Sequence, residues 1–444
     1  AGLVGEALNV NITNVYINAS INDTGGTQDY AGGIVAYAEN STLYNVIFNG
    51  TLITVDDKKG GIIGATSPNG IGTIINNSEV FGKIQGEINI GGFVGYSENL
   101  KLVNSKGNVT VVGETRDIGG AIGNAYSKTD ILNVNLTVSI LSLDSTVDNL
   151  GGLVGRNGDG SYFFVNNSHV KGSVIGSDDY IGGFIGYAYD NATISDSSFI
   201  GTVEGDQHTG GIAGYSYGAS NKYNYFLRTF SKGKVKGLNS HVGGLIGNIA
   251  YYTEVNDSGS LMTVESTKST GNLFIGGFAG DHGTSSNLYR NYFAGKIINK
   301  TNAYVGGFVG DIGSGTLADN FYDNDTSQIQ GPSGGSSKPT DSANILGQFT
   351  WQLKQNDTFS TWNLTNVWRA ENSYPIPYWF WEDLDDDGVE DIKDSLIGNE
   401  TSITAVNFNP TLIIAGSAVL NNSYSGLNTV NLTDGDNNTL SFEH

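Results

Sequence analysis

One short glycine motif recurs ten times along the chain at nearly constant spacing. It reads Gly-Gly, then two apolar residues, then Gly or Ala, and its clearest copy is Gly91-Gly92-Phe93-Val94-Gly95. The first glycines of successive copies are 28 to 33 residues apart. The ten copies begin at Gly32, Gly60, Gly91, Gly119, Gly151, Gly182, Gly210, Gly243, Gly276 and Gly306. A repeat of this length, held over nine intervals, is typical of stacked-repeat architectures.

Each repeat contains three short runs of residues that favour β-structure. In residues 91–118 the runs are Gly-Gly-Phe-Val-Gly-Tyr-Ser, Lys-Leu-Val-Asn-Ser and Asn-Val-Thr-Val-Val-Gly, with turn residues between them. Three strands in thirty residues fit one coil of a parallel β-helix, in which equivalent strands of neighbouring coils pair about 4.8 Å apart. The competing fold is a β-propeller, but its blades need about 40 residues. The sequence therefore predicts an all-β protein built as a right-handed parallel β-helix of about ten coils, closed by a C-terminal cap and followed by a small β-rich tail.

The repeat resembles the GLUG repeat of bacterial and archaeal surface proteins. The similarity covers residues 32 to about 330 and rests on the glycine motif and the Asn/Ser-rich run that follows it. That family includes adhesins and non-catalytic regions of some immunoglobulin-A-cleaving metallopeptidases. Between Asn320 and Tyr378 the order of aromatic, Asp and Pro residues is similar to the segment that commonly closes such arrays. The resemblance implies a β-solenoid on a cell surface without implying one activity.

The predicted organisation has five segments. Residues 1–31 form an incomplete N-terminal coil, 32–330 the solenoid, 331–382 an aromatic-rich cap, 383–395 an acidic linker and 396–444 a β-rich tail. The cap contains all five tryptophans, which predicts an apolar cover for the open solenoid end, with a sugar-stacking platform as the alternative. The tail is interpreted as a partial immunoglobulin-like domain or as a strand exchanged with a neighbouring subunit.

An acidic stretch from Asp383 to Asp394 has the spacing of a calcium-binding loop. Carboxylates stand at its positions 1, 3, 5, 9 and 12, and Gly388 stands at position 6, where the loop must turn sharply. It resembles the thrombospondin type 3 and EF-hand-like loops that serve as linkers in prokaryotic surface proteins. The resemblance implies Ca²⁺ as cofactor, with Asp391 binding directly or through water. The other implied ligands are the side chains of Asp383, Asp385, Asp387 and Asp394 and the carbonyl of Val389. The alternative is a solvated acidic linker.

The composition limits the possible partners. The chain has 22 Lys and Arg against 44 Asp and Glu, a formal net charge of −22. Such a surface repels nucleic acid and anionic lipid and attracts cations. The chain has no cysteine, so it has no disulfide and no thiolate metal site. It contains no apolar run near the roughly 18 residues of a membrane span, and its start at Ala within repeat-like sequence indicates a processed product or a fragment of a longer protein.

The chain is rich in Asn-X-Ser/Thr sequons. It has nineteen of them, which predicts an N-glycosylated, secreted surface protein. The alternative is that Asn, Ser and Thr are the residues that solenoid turns use. The sequons selected as glycosylation candidates are Asn11, Asn18, Asn40, Asn76, Asn108, Asn135, Asn166, Asn191, Asn256, Asn299, Asn363 and Asn431.

The sequence has no recognisable catalytic motif. It lacks His-Glu-x-x-His, a Gly-x-Ser-x-Gly elbow between strand and helix, and a P-loop. Its five histidines occur singly and are predicted at the surface or in turns. A polysaccharide-cleaving β-helix would need clustered carboxylates on adjacent coils. The candidates are Asp178 with Asp179, Glu204 with Asp206, and Asp56 and Asp57 with Lys58 and Lys59, and the alternative is that they are polar turns.

Four tyrosines follow the glycine motif at the same offset. They are Tyr37, Tyr96, Tyr187 and Tyr215, and the repeat predicts that they lie along one face. Aromatic packing between coils is the favoured interpretation of this pattern, and ligand binding is the alternative.

These features predict a non-enzymatic, extracellular structural protein of a prokaryotic cell surface, such as a stalk, surface-layer or filament subunit. We expect it to self-associate through strand edges and to be stiffened by Ca²⁺. The alternative function is an adhesin that binds glycans or partner-cell surfaces through the solenoid face, and a polysaccharide lyase or hydrolase is less favoured. Neither a nucleic-acid partner nor a membrane span is expected in this chain.

Overall fold

The computed structural model confirms an all-β solenoid of stacked parallel coils. It describes residues 1–380 except 24–28, 56, 144–147, 159–161, 268–272, 300–303, 330, 335–343 and 371–372, and two strands of the tail. The chain divides into two compact units, Ala1–Phe380 and Trp381–His444. In the second unit, the described residues form an antiparallel pair, Thr429–Thr433 with Thr439–Glu443. The calcium loop predicted at residues 383–394 lies outside the described residues.

The last two residues of each glycine motif begin a strand of a parallel, eleven-stranded sheet. One further strand of this sheet comes before the first motif. Within the sheet, Val94 pairs with Ile63 on one side and Ile122 on the other, so the motif keeps its register from coil to coil. The strands are Val4–Leu8, Val35–Glu39, Ile63–Thr66, Val94–Ser97, Ile122–Ala125, Val154–Asn157, Ile185–Tyr189, Ala213–Tyr217, Ile246–Tyr251, Ala279–Thr284 and Val309–Ile312.

The second and third runs of the repeats form a sheet of 28 strands that makes up the rest of the solenoid wall. In some coils, the two runs merge into one long bent strand. In chain order, the strands are Asn11–Asp23, Ala31–Gly32, Thr42–Thr54, Lys59–Gly60, Thr73–Asn76, Glu79–Gly91, Leu100–Val103, Lys106–Gly119, Thr129–Leu132, Asn135–Ser142, Asp148–Gly151, Phe163–Asn166, His169–Ile175, Ile181–Gly182, Ala192–Gly205, Thr209–Gly210, Asn224–Gly237, Val242–Gly243, Thr253–Asn256, Gly259–Ser266, Phe274–Gly276, Asn287–Tyr289, Tyr292–Phe293, Ile297–Asn299, Tyr304–Gly306, Thr316–Ala318, Asn320–Asp323 and Ile345–Gln348.

Helical structure in the described residues is confined to single turns. They are an α-helical turn at Asn324–Ser327 and a 3₁₀ turn at Asn356–Phe359. An antiparallel pair, Trp368–Arg369 with Ile376–Pro377, follows them. None of the helices in the described part of the chain is long and apolar enough to cross a membrane.

The three glycines of the motif occupy three different places where backbones touch. A Cβ on Gly91 would lie 2.1 Å from the carbonyl oxygen three residues further on, so the first glycine permits the tight turn. A Cβ on Gly92 would lie 2.1 Å from the carbonyl oxygen of Gly120 in the next coil. A Cβ on Gly95 would lie 2.3 Å from the backbone nitrogen of Lys59 in the preceding coil. Because backbone atoms cannot yield as a flexible side chain can, the motif requires glycine for space.

The turn between the second and third runs contains one left-handed residue per coil. Asn tolerates this conformation, which explains much of the Asn content. The Asn side chains bond along the solenoid axis: Asn133 Nδ2 donates to Asn104 Oδ1 at 2.9 Å, and Asn167 Nδ2 donates to Asn133 Oδ1 at 2.8 Å. Further along, Arg228 makes a two-pronged contact with Asp196 at 2.5 and 2.7 Å. The column comprises Asn14, Asn45, Asn77, Asn104, Asn133, Asn167, Asp196, Arg228, Asp257, Arg290 and Asp319.

The interior of the solenoid is one continuous apolar column. Equivalent side chains stack in it, as Phe278 and Phe308 do with ring centroids 4.7 Å apart. His282 also points inward and is 0% exposed, with Nε2 at 2.9 Å from the carbonyl oxygen of Ser286. The prediction that every histidine lies at the surface or in a turn is therefore wrong for His282, because the repeat places its position on the core side of a strand.

The aromatic segment after the last repeat runs back along the side of the solenoid. We call residues 349–380 the strap. Its partners occupy one position that recurs in six successive coils, from His169 to Phe321. The ring contacts are Phe359 with Phe321 at 5.3 Å, Trp368 with Tyr292 at 5.7 Å, Phe380 with Phe230 at 4.6 Å and Trp379 with His169 at 5.2 Å between centroids.

The strap is held at its start by the buried carboxylate of Asp323. This carboxylate accepts hydrogen bonds from Thr350 Oγ1 at 2.8 Å and from the Tyr374 hydroxyl at 2.5 Å. Trp362 and Trp368 are 6% and 0% exposed, so these two rings cannot serve as a sugar-stacking platform. The first unit ends at Phe380, beside the coil of Phe230.

Replacing Gly123, the last glycine of the fourth motif, by Ala should strongly destabilise the protein. Its Cβ would lie 2.5 Å from backbone atoms of Asn89 and Ile90 in the preceding coil. Forced overpacking of this kind costs about 1–3 kcal/mol or more. Denaturant unfolding of the variant measures this loss.

The matched control for that substitution is Gly5→Ala, because a Cβ on Gly5 meets nothing within 4 Å. We expect its unfolding curve to overlay that of the parent protein within about 0.5 kcal/mol. Equal losses in the two variants would contradict the steric explanation.

A candidate binding groove along the solenoid

Two columns of side chains flank the glycine motifs along the solenoid, and we call the strip of surface between them the groove. Its walls are two columns of side chains, one two residues before the first glycine and one five residues after it. The floor is the third glycine of the motif, which touches the opposing backbone. The first wall comprises Tyr30, Lys58, Asn89, Asp117, Asn149, Tyr180, His208, His241, Phe274 and Tyr304. The second wall comprises Tyr37, Ala65, Tyr96, Asn124, Arg156, Tyr187, Tyr215, Asn248, Asp281 and Asp311.

Opposing wall residues of one coil are seven apart in sequence and contact each other across the groove. The ring centroids of Tyr180 and Tyr187 are 5.2 Å apart. In another coil, Asn124 Nδ2 donates to Asp117 Oδ2 at 2.8 Å. The two walls therefore touch in both coils, and the residues that meet across the groove are aromatic in some coils and polar in others.

The first wall carries an aromatic stack in its C-terminal half. Ring centroids are 5.0 Å apart from Tyr180 to His208 and 4.8 Å apart from His208 to His241. The stack continues to Phe274 at 5.0 Å and to Tyr304 at 5.3 Å. Because each ring covers its neighbour's face, the stack presents mainly ring edges to the groove. It stabilises the coils and lines the groove with hydroxyl and imidazole groups.

Three stacked wall residues adopt the left-handed backbone conformation with bulky side chains. The φ angles are 60° at Tyr180, 47° at His208 and 55° at His241. Other coils use Asn at the same position, as at Asn89 and Asn149, where this conformation is easily tolerated. Tyr and His thus keep a backbone conformation that bulky residues rarely adopt. Residues in such conformations are enriched at functional sites.

The middle of the groove is polar. Asp117 is 2% exposed and accepts hydrogen bonds from Asn124 Nδ2 and Asn149 Nδ2, both at 2.8 Å. Burial raises the pKa of Asp117, and the nearby Arg156 guanidinium opposes that shift. Arg156 lies across the ring of Tyr187, with Cζ 5.4 Å from the centroid. This cluster separates the aromatic stack from the tyrosines of the N-terminal coils.

Three carboxylates meet at the edge of the groove, immediately before two residues of the first wall. One oxygen each of Asp148, Asp178 and Asp179 lie within 4.8 Å of one another. Burial raises the pKa of all three groups, and burial together with Asp178 raises the pKa of Asp179 to about 6. Oxygen ligands of this kind suit Ca²⁺. The sequence identified Asp178 and Asp179, but Asp148 joins them only because its coil stacks below theirs.

The other acidic candidates from the sequence form contacts between or within coils. Glu204 pairs with Lys236 of the next coil at 2.5 Å. Asp206 Oδ2 accepts a hydrogen bond from Asn239 at 3.3 Å. Lys59 is fully buried, and its ammonium donates to the carbonyl oxygen of Asp57. Asp56 lies outside the described residues.

The four tyrosines singled out in the sequence all belong to the second wall. Tyr187 and Tyr215 are neighbours, with centroids 5.1 Å apart, while Ala65 separates Tyr37 from Tyr96. Sequence reasoning missed the first wall entirely. The signal that could have revealed it is the constant offset of seven residues between the two columns.

The sequon asparagines fall on the solvent side of the described coils, and none of those with a described side chain is buried. Several are engaged with neighbouring coils. Asn40 Oδ1 accepts from the backbone N–H of Ile71 at 2.7 Å, and Asn166 Nδ2 donates to Asp196 at 3.0 Å. The side chains of Asn299 and Asn431 lie outside the described residues. Glycosylation remains a prediction, and turn and ladder bonding accounts for part of the Asn content.

Comparison with known families identifies one copy of the repeat directly. Residues 179–204, which contain the sixth glycine motif, match the GLUG motif. No curated protein and no solved structure matches the chain. A GLUG motif in a β-solenoid fits a surface, adhesin-like protein.

The pH dependence of the free energy of unfolding should reflect the protonation of the stacked histidines. Burial lowers the pKa of His208 to about 3 and that of His241 to about 4, below the unfolded value of about 6.5. The folded state therefore holds these rings neutral, and their contribution to stability is full above pH 6.5 and falls as the pH drops toward 3–4. Other coils have Asn at this position. Replacing His208 by Asn should therefore remove the part of the stability loss at low pH that His208 causes. Each histidine contributes at most about 1.4 kcal/mol per pH unit, and partial exposure reduces this value.

Denaturant unfolding of the parent protein and His208→Asn at pH 7, 5.5 and 4.5 measures the difference. The parent protein should lose stability relative to the variant as the pH falls. Tyr37→Asn removes a groove ring that packs beside Tyr30, far from the two histidines, so its difference from the parent should stay constant. A constant difference for His208→Asn as well would contradict the assignment.

Proposed function

We propose that the protein is a non-enzymatic structural component of a prokaryotic cell surface, a stiff rod that acts as a stalk, surface-layer or filament subunit. It works by mechanical means, with stacked coils that resist bending and strand edges that pair with further subunits. The GLUG motif at 179–204 and the β-solenoid support the surface assignment.

The observation that carries this proposal is the set of side-chain ladders that follow the solenoid axis. Asn and Arg–Asp contacts link the coils in the turn column, as between Arg290 and Asp257 at 2.8 and 2.9 Å. Aromatic rings link the coils in the groove, and apolar side chains link them in the core. Each ladder must be broken for the rod to bend or separate between coils, so the ladders make it stiff.

The N-terminal coil offers a surface for self-association. Among the described residues, strands Val4–Leu8 and Asn11–Asp23 pair with a neighbouring coil on one side only. Ile12, Val15 and Ile17 pack against the core at this end and are only partly buried. An unpaired strand edge above partly exposed apolar residues favours the addition of another strand, from a second copy or from a preceding segment of a longer chain.

Calcium is part of the proposal. The chain carries a net charge of −22, which keeps like rods apart unless cations screen them or bind to them. The acidic stretch from Asp383 to Asp394 supplies carboxylates at the spacing of a calcium loop, and an ion there would order the connection to the tail.

Association through the N-terminal edge is tested by placing a charge on it. Ile17→Lys puts an ammonium at the partly buried edge and should raise the concentration needed for assembly at least tenfold. Tyr16→Lys adds the same charge to the preceding residue, which is 59% exposed, and should assemble as the parent protein does. Sedimentation velocity over a concentration series and negative-stain electron microscopy, with Ca²⁺ and then with a chelator, measure the outcome.

The assembly experiment can contradict the proposal in two ways. Isolated rods of the parent protein at every concentration, both with Ca²⁺ and with chelator, would exclude self-association. Equal weakening by the two lysine substitutions would show that added charge alone acts, without edge pairing.

The groove favours a second candidate function, binding of a glycan along the solenoid. It presents hydroxyl, amide and carboxylate groups in two columns at the coil spacing, about 4.8 Å. A linear polymer of hydroxylated units could bond to these groups and rest its apolar faces on the rings that end the stack, such as Tyr304, which is 37% exposed. The excess of acidic residues favours neutral or cationic chains over polyanions.

A glycan array tests that candidate. The double variant Tyr187→Ala/Tyr215→Ala removes two adjacent groove residues and should lower binding at least tenfold. Tyr44→Ala removes a 45% exposed tyrosine outside the groove columns and should bind as the parent protein does. No saturable binding by the parent protein, or equal binding by both variants, would exclude the groove as a glycan site.

A further inference from the structure

The C-terminal end of the groove contains two carboxylates that no basic side chain neutralises. Asp281 and Asp311 are register partners on the neighbouring strands Ala279–Thr284 and Val309–Ile312. Among the described residues, neither forms a salt bridge with Lys, Arg or His. Burial and the charge of Asp311 raise the pKa of Asp281 to about 6. The pair therefore carries an uncompensated negative charge in a partly desolvated place.

A buried amide oxygen next to this pair has no hydrogen-bond partner. Asn248 is the register partner of Asp281 on its other side, so its side chain leaves the same face of the sheet. It is 7% exposed, and its Oδ1 atom is buried without a partner in the described structure. An unsatisfied buried acceptor is costly and calls for a donor or a cation. Three successive coils thus carry oxygen-bearing side chains next to one another on one face of the groove wall.

The surroundings of these three residues suit an ion. Phe274 and Tyr304 stand on the opposite wall with centroids 5.3 Å apart and limit access of bulk water from that side. One oxygen of Asp311 accepts the backbone N–H of Ile312 at 3.0 Å, which orients the carboxylate and leaves its other oxygen for a ligand. Asp281 accepts the backbone N–H of His282 in the same way.

We propose that Asn248, Asp281 and Asp311 form a Ca²⁺ site in the groove wall, with water completing the coordination. The site requires neither self-association nor glycan binding, and it is separate from the calcium loop predicted near the C-terminus. An ion there would neutralise the paired carboxylates, satisfy Asn248 Oδ1 and join three coils.

The ligand set favours Ca²⁺ over Mg²⁺. Its three side chains come from neighbouring parallel strands about 4.8 Å apart. Ca²⁺ accepts oxygen ligands at about 2.3–2.6 Å in flexible geometry, which suits side chains that lean together from three strands. Mg²⁺ demands near-ideal octahedral geometry at about 2.0–2.1 Å and keeps several waters, so it fits this arrangement less well. Hard oxygen ligands without nitrogen or sulfur also favour these ions over Zn²⁺.

The experiment is isothermal titration calorimetry of the full chain with Ca²⁺ and with Mg²⁺. Asp385→Asn/Asp387→Asn serves as the background, because it removes ligands of the predicted loop. We expect this background protein to bind Ca²⁺ at a remaining site, at least tenfold more tightly than Mg²⁺. Adding Asp281→Asn/Asp311→Asn should abolish that site. These substitutions remove a repulsion, so circular dichroism should find the fold intact.

Two further variants complete the test. Asn248→Leu removes the amide oxygen at similar volume and should weaken Ca²⁺ binding at least tenfold. Asp178→Asn/Asp179→Asn alters the other acidic cluster of the groove and should leave the site unchanged. The proposal is overturned if the background protein binds no Ca²⁺, or if Asp281→Asn/Asp311→Asn leaves the number of bound Ca²⁺ ions unchanged. Loss of binding in Asp178→Asn/Asp179→Asn alone would move the ion to that cluster and overturn the proposal equally.

Discussion

Close backbone contact at the glycine motif is the constraint on which the rest of the structure depends. In the first nine copies the second glycine faces the carbonyl oxygen of the equivalent glycine in the next coil, as Gly92 faces Gly120. The third touches the preceding coil and forms the groove floor. Because these contacts leave no room for a Cβ, they fix the distance and register of the coils together. Every other column of side chains inherits that register.

Equivalent positions become ladders once the register is fixed, and the residue type decides what a ladder does. Asn in the left-handed turn gives a chain of amide hydrogen bonds that ends in Arg–Asp pairs. Aromatic residues before the motif give a stack from Tyr180 to Tyr304. Acids in the column that follows the motif, such as Asp281 and Asp311, repel one another across the strand spacing. A repeat architecture therefore multiplies favourable and unfavourable contacts alike, because equivalent side chains become neighbours. The unfavourable contacts then lie together, where a ligand can relieve them.

The strap adds a contact that is independent of the repeat. It joins coils along the side of the rod, where Trp368 is fully buried against Tyr292. The residues beneath it, His169, Phe230, Tyr292 and Phe321, vary in type because each meets a different part of the strap. Burial beneath the strap lowers the pKa of His169 to about 4. A bend between these coils would have to separate the strap from the wall as well as break the ladders, so the strap stiffens this part of the rod.

The sequence by itself determined the solenoid, its number of coils and the face on which Tyr187 and Tyr215 meet. These features follow from the period of the glycine motif and from residues such as Gly, whose role depends on local space and backbone conformation. Only the tertiary structure decided that Asp148 joins Asp178 and Asp179, that Asn248 lies beside Asp281, and that the strap runs back to His169. Those contacts join residues about thirty to two hundred apart in sequence, and coil length varies from 28 to 33 residues. Spacing alone therefore cannot align individual side chains, whereas the hydrogen-bond register of parallel strands aligns them to the residue.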